Sequence, residues 1–175
     1  MDPDSTEFTA RLRPRLATSP LWDFALAIYA RPGVEQACLT LQDEHGWDVC
    51  ELLWRCWLYQ QGAQAGALPS EVAAWQREVT QPLRRLRRDL KPQAQADSQV
   101  ASVRSRIKQA ELEAEQQCLQ MLMKISLNEL AFSPIPARLQ GLENVLLSSQ
   151  QRQKKTQLMA IRSVESQLDP LPAAR

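Results

Sequence analysis

The stretch Asp48–Gln60, DVCELLWRCWLYQ, constrains this chain more than any other. Val49, Cys50, Leu52, Leu53, Trp54, Cys56, Trp57, Leu58 and Tyr59 fall nearly all round a helix. Only Asp48, Glu51 and Arg55 break that apolar surface. A helix apolar over almost its whole circumference has to be buried. It is too short and too charged to span a membrane, which takes ~20 apolar residues. The rest of the chain must therefore supply neighbours that hide it.

The flanking residues define its ends. Gly46 can take the left-handed conformation that closes a preceding helix. Asp48, with Glu51 three residues on, reads as an N-cap and its capping-box partner. Glu51 and Arg55 form an i,i+4 ion pair. Upstream, Pro32 suits a first helical turn, and Val34, Ala37, Cys38 and Leu41 recur at helical spacing.

The remaining pattern is helical too. Leu21–Ala30 opens after Ser19 and Pro20, with Leu21, Trp22, Ala25, Leu26, Ile28 and Tyr29 on a wide apolar face. A helix starting at Ser70 carries Val72, Trp75 and Val79. Pro82–Lys91 follows, closed by Pro92, and residues 93–99 read as a loop. The longest pattern runs from about Asp97 to Phe132, and a shorter one from Ala137 to Ser149. Residues 1–19 read as a polar arm in which Asp4 and Glu7 cap a short helix that Pro14 limits. Residues 150–175 read as a tail, a helical extension or partly disordered, with Leu158, Ile161, Val164 and Leu168 at helical spacing and Pro170 and Pro172 as stops. With 175 residues and 44% hydrophobic composition, one core suffices. The expectation is an all-α, single-domain orthogonal bundle of about six or seven helices around Trp-rich 48–60. The helical domain would cover 20–149.

Two strings carry a resemblance. LWDFALAIYARPGVE (Leu21–Glu35) and CLTLQDEHGWDVCELLWRCWL (Cys38–Leu58) resemble a family of small, uncharacterised, all-helical proteobacterial proteins. The family pattern is Leu-Trp-x-Phe-Ala, a Pro-Gly-Val turn, then Gln-Asp-x-x-Gly-x-Asp-Val-Asn and an apolar run. Cys50 stands here where the pattern has Asn, and Glu51 and Arg55 where it has apolar residues. The resemblance implies a helical fold and a bacterial cytoplasmic setting, and it implies no activity.

Candidate functional residues are few. From Arg77 to Lys108 there are nine Lys/Arg and three acids, a net of +6 that leaves −5 for the remainder. Arg84, Arg85, Arg87, Arg88 and Lys91 crowd one helix opposite Leu83, Leu86 and Leu90. That face could grip an acidic protein surface or, less readily, nucleic-acid phosphates. No aromatic residue interleaves for base stacking. Tyr29, Trp54 and Trp57 are candidate walls of an apolar ligand pocket, although indoles at such spacing more often build core. His45 is the single histidine. With no second His and no acidic residue three or four before it, it reads as charge compensation in a last helical turn. Cys38, Cys50, Cys56 and Cys118 form no CxxC pair and read as buried reduced thiols, which suits a cytoplasmic setting. The first residues hold no apolar signal core. No metal, cofactor or catalytic motif is recognised. These features point to a non-enzymatic interaction or regulatory protein contacting its partner through 82–91. A helical carrier or enzyme for an apolar ligand is the alternative, and nucleic-acid binding through the Arg helix the third reading.

Overall fold

The computed structural model describes residues 3–139 and 141–171, with the side chains of Pro3 and Asp4 excepted. The expected cap at Asp4 and stop at Pro172 lie outside what is described. The elements in order are α1 (Pro3–Ala17), α2 (Leu21–Tyr29), α3 (Val34–His45), α4 (Val49–Gln60), β1 (Ala63–Gln64) and α5 (Ser70–Trp75). A π-helix, Gln76–Thr80, joins α5 to α6 (Gln81–Asp89). Then come α7 (Lys91–Ala96), α8 (Ser98–Asn128), β2 (Ser133–Pro134), a 3₁₀ turn (Ala137–Leu139), α9 (Leu142–Leu146), α10 (Ser149–Arg152) and α11 (Lys155–Glu165). The fold is all-α, with one antiparallel two-residue ladder pairing Ala63 with Pro134 and Gln64 with Ser133 among the described residues.

The chain forms two compact units. The first is Met1–Ala67 together with Met123–Arg175, and the second is Leu68–Leu122. In the first unit α4 is the buried element that its composition demands. Cys50, Leu52, Leu53, Trp54, Cys56, Trp57, Leu58 and Tyr59 are all buried. Asp48 caps it by accepting from the Glu51 amide at 2.8 Å, and Glu51 takes the Arg55 guanidinium at 2.8 Å. Gly46 closes α3 in the left-handed region at φ 70°. Neighbours come from α2, which packs on α4, and from α11, which packs along α3.

Several local expectations are corrected here. Pro14 does not end α1, which runs on to Ala17. Leu12 and Leu16, one turn apart on either side of Pro14, are both buried. Their burial outweighs the hydrogen bond that the Pro14 nitrogen cannot make. Ser5 and Thr9 both donate to the Phe132 carbonyl, and the Phe132 amide donates back to Thr9 Oγ1, so residues 3–17 are strapped down. Helix α3 starts at Val34 rather than Pro32, after Gly33 in the left-handed region. In the described part of the C-terminal segment, α10 and α11 follow the helical-extension alternative, with Gln157, Ala160, Ile161 and Val164 of α11 buried.

In the second unit, Ser70–Asp89 is one rod. Pro82 cannot donate to the Glu78 carbonyl, and the turn just before it widens to i→i−5, with the Gln81 amide donating to the Gln76 carbonyl. Residues 91–96, expected to be largely loop, form α7, because Pro92 sits in its first turn where a missing N–H costs nothing. Helix α8 opens at Ser98 beneath Asp97, whose carboxylate accepts from the amides of Gln99 at 2.7 Å and Val100 at 3.3 Å. It stops at Asn128, short of Phe132, as the Glu129 and Leu130 amides both turn back onto the Ile125 carbonyl.

Candidate interaction surface

The basic residues of segment 82–91, which spans α6 and the first residue of α7, divide into two sets. Arg84 and Arg87, one turn apart, face α8. Arg84 Nε donates to Glu111 Oε1 at 2.9 Å and its Nη2 to Glu115 Oε1 at 2.5 Å. Arg87 Nε donates to Glu111 Oε2, and its Nη2 to Glu111 Oε1 at 3.2 Å. Arg104 Nε donates to the Arg87 carbonyl at 3.0 Å. The side chains of Arg84 and Glu111 are only 11% and 6% exposed. Burial alone would push the Glu111 carboxyl up, but its bonds from Arg87 and Arg84 outweigh it and hold the group below the usual carboxylate range. Burial likewise works against the Arg84 charge and is overcome by Glu111 and Glu115. Charge-assisted bonds of this kind are the strong ones.

The other set faces water. Arg85, Arg88 and Lys91 are exposed. The contacts above run α6 antiparallel to α8, with Arg84 beside Glu115 and Arg87 between Glu111 and Arg104. At 100° per residue, the remaining positions sort to the two sides of this seam. Arg85 and Arg88 share a side with Lys108 and with Leu112, which is 47% exposed. Leu83, Leu86 and Leu90 lie on the other side, together with Val103 and Ile107 of α8. Leu86 is 47% and Val103 52% exposed, and neither α6 nor α7 buries any residue. The hairpin thus has a basic face, an apolar face and an ion cluster in the seam between them.

Glu111 and Glu115 also change the charge balance. The second unit holds nine Lys/Arg and seven Asp/Glu, a net of +2. The +6 of residues 77–108 stops one turn short of the acids that neutralise two of its arginines. An i,i+4 Glu pair facing an i,i+3 Arg pair was the available signal.

The candidate pocket residues Trp54 and Trp57 lie on α4 and Tyr29 on α2. Trp54 and Trp57 are buried, and their N–H groups donate to Ser126 Oγ at 2.9 Å and to the Ser19 carbonyl at 2.8 Å. Tyr29 is half-buried on α2. Trp47 donates to Gln157 Oε1 and Trp75 to the Ala114 carbonyl, both at 2.9 Å. Four indole donors are therefore spent on the fold. His45, in the last turn of α3, lies 2.9 Å from Thr156 Oγ1. Among the described residues no group of three or more His, Cys, Asp or Glu could hold a metal ion, and no helix is long and apolar enough to cross a membrane.

One further buried polar group is Tyr59, whose hydroxyl donates to Glu165 Oε1 at 2.9 Å and accepts from the Gly141 amide at 3.2 Å. Glu165 Oε1 also accepts from the Leu142 amide at 2.9 Å, opening α9. Burial, with the Glu165 carboxylate beside it, pushes the Tyr59 phenol up to about 12.

Fold and surface together define an all-helical protein with a buried Trp-rich helix and an Arg-faced hairpin. The chain belongs to the family described as protein of unknown function (DUF2390), whose model matches residues 20–122. That span takes in α2 through most of α8 and includes the hairpin. No curated protein and no solved structure matches the chain.

Proposed function

We propose that this is a non-enzymatic interaction protein of the bacterial cytoplasm, and that it grips an acidic protein surface with the basic face of the α6/α8 hairpin. One observation carries the reading. After Arg84 and Arg87 are taken up inside, Arg85 and Arg88 stay exposed on the same short helix and Lys91 at the start of the next. Leu112 supplies an apolar contact on that face, and interface cores combine arginine with apolar area in this way. The ion cluster behind them fixes α6 against α8, so the outer arginines are presented from a rigid element. Four buried, unbridged cysteines are in keeping with a reducing compartment. Nucleic acid draws less support, since the second unit carries a net of only +2 and offers no exposed aromatic for stacking.

The test is capture on the immobilised chain, with retained proteins identified by mass spectrometry and the leading one then titrated in purified form. Reversing charge at Arg85, Arg88 and Lys91 is expected to abolish binding while helicity stays unchanged. Binding should also weaken as salt screens the contact. A partner held equally by the charge-reversed chain would refute the reading.

A further inference from the structure

The apolar face of the hairpin is a second surface, and the reading above does not use it. Leu83, Leu86 and Leu90 of the α6 segment and Val103 and Ile107 of α8 lie on one side of the Arg–Glu seam. Further along α8 the same stripe is buried, at Ala114, Cys118 and Leu122. Toward the hairpin end it is uncovered, with Leu86 and Val103 about half exposed. Two antiparallel helices that share an uncovered apolar stripe are half of a four-helix bundle.

We propose that a second copy of this chain seats on this face, with the two hairpins related by a two-fold axis parallel to their helices. The charges decide between occupants. Basic faces of two copies repel each other, so of the hairpin's two faces the apolar one is left for self-association, with Leu86 and Val103 as its exposed apolar residues. Besides Glu113, further along α8, the outer edges beside that face carry Asp89 on α6, opposite the seam, and Arg106 on α8. Both are exposed, and neither makes an ion pair among the described residues. Arg87 lies between Glu111 and Arg104, so Asp89, two residues further along α6, is level with Arg106 on antiparallel α8. A two-fold axis parallel to the helices sets α6 of one copy over α8 of the other at the same level. Asp89 then meets Arg106 of the second copy, and the pair forms twice. An interface that is its own complement is what a two-fold dimer requires.

Sedimentation velocity over a concentration series from about 1 to about 100 μM reads the outcome. The wild-type chain is expected to reach the mass of a dimer. Leu86→Glu with Val103→Glu should leave a folded monomer across the series. Leu112→Glu, an equally exposed leucine on the opposite face, should leave the dimer intact, as should Arg85→Glu with Arg88→Glu. If the double Glu variant unfolds by circular dichroism, the rim decides. Asp89→Arg or Arg106→Asp alone should raise the dissociation constant by about tenfold or more, and the two together should restore it. A wild-type monomer at every concentration would overturn the proposal. So would a dimer that survives both Leu86→Glu and Val103→Glu, or a charge swap that restores nothing.

Discussion

Removing Glu111 should destabilise this protein far more than removing any exposed charge on the same hairpin. Its carboxylate receives both Arg84 and Arg87 and is 6% exposed. Glu111→Ala would leave two guanidinium groups facing a cavity, with Arg84 still bonded to Glu115. Breaking one side of a buried ion pair costs roughly 3–5 kcal/mol. Glu111→Gln keeps the shape and one acceptor but loses the charge, which costs about 1.5–3 kcal/mol, the range of a hydrogen bond to a charged group. Arg85→Ala, on the exposed side, should stay within about 0.5 kcal/mol. Urea unfolding followed by circular dichroism ranks the three. The pH dependence supplies an independent check. The folded state holds the Glu111 proton less tightly than the unfolded chain does, because its pKa is lowered on folding. Its stabilisation is therefore present above the unfolded carboxylate value, roughly 4.3, and is lost as pH falls below that toward the folded value. The gap between wild type and Glu111→Gln should shrink over the same acid range. Equal midpoints for Glu111→Ala and Arg85→Ala, or a gap that widens on acidification, would refute the assignment of Glu111 as the anchor of the seam.

Three further outcomes concern buried groups. Tyr59→Phe removes the donor to Glu165 and the acceptor for Gly141, and should cost about 1–3 kcal/mol in thermal or urea unfolding; a neutral effect would show that the contact contributes nothing. The four cysteines are buried, and burial pushes the Cys38 thiol up to about 12. A thiol reagent at neutral pH should therefore label them only after unfolding, and rapid labelling of the native chain would contradict their placement. Trp54→Ala should cost roughly 3–5 kcal/mol, with loss of the indole bond to Ser126 included, and a change under 1 kcal/mol would mean that α4 is not the hidden element.

Much of this architecture was legible in the residues, for a physical reason. A helix apolar all round has one stable environment, so α4, its Asp48 cap and the Gly46 corner could be read directly. Features that depend on two distant segments were harder to see. Arg84 and Arg87 look identical to Arg85 and Arg88 until α8 brings Glu111 and Glu115 across the seam. Helix α1 was masked by its polar composition and Pro14, although Leu12 and Leu16 stood one turn apart. The ladder between Ala63–Gln64 and Ser133–Pro134 is too short for a period of two to register. The π-helix needs a donor count, in which Pro82 has nothing to give Glu78.

The division of the hairpin arginines is tested most directly by modifying the native chain with an arginine-selective dicarbonyl and following each site by peptide mass spectrometry. The account predicts prompt modification of Arg85, with Arg84 protected by about tenfold or more, an apparent opening cost of at least about 1.4 kcal/mol. Equal rates at Arg84 and Arg85 would contradict it.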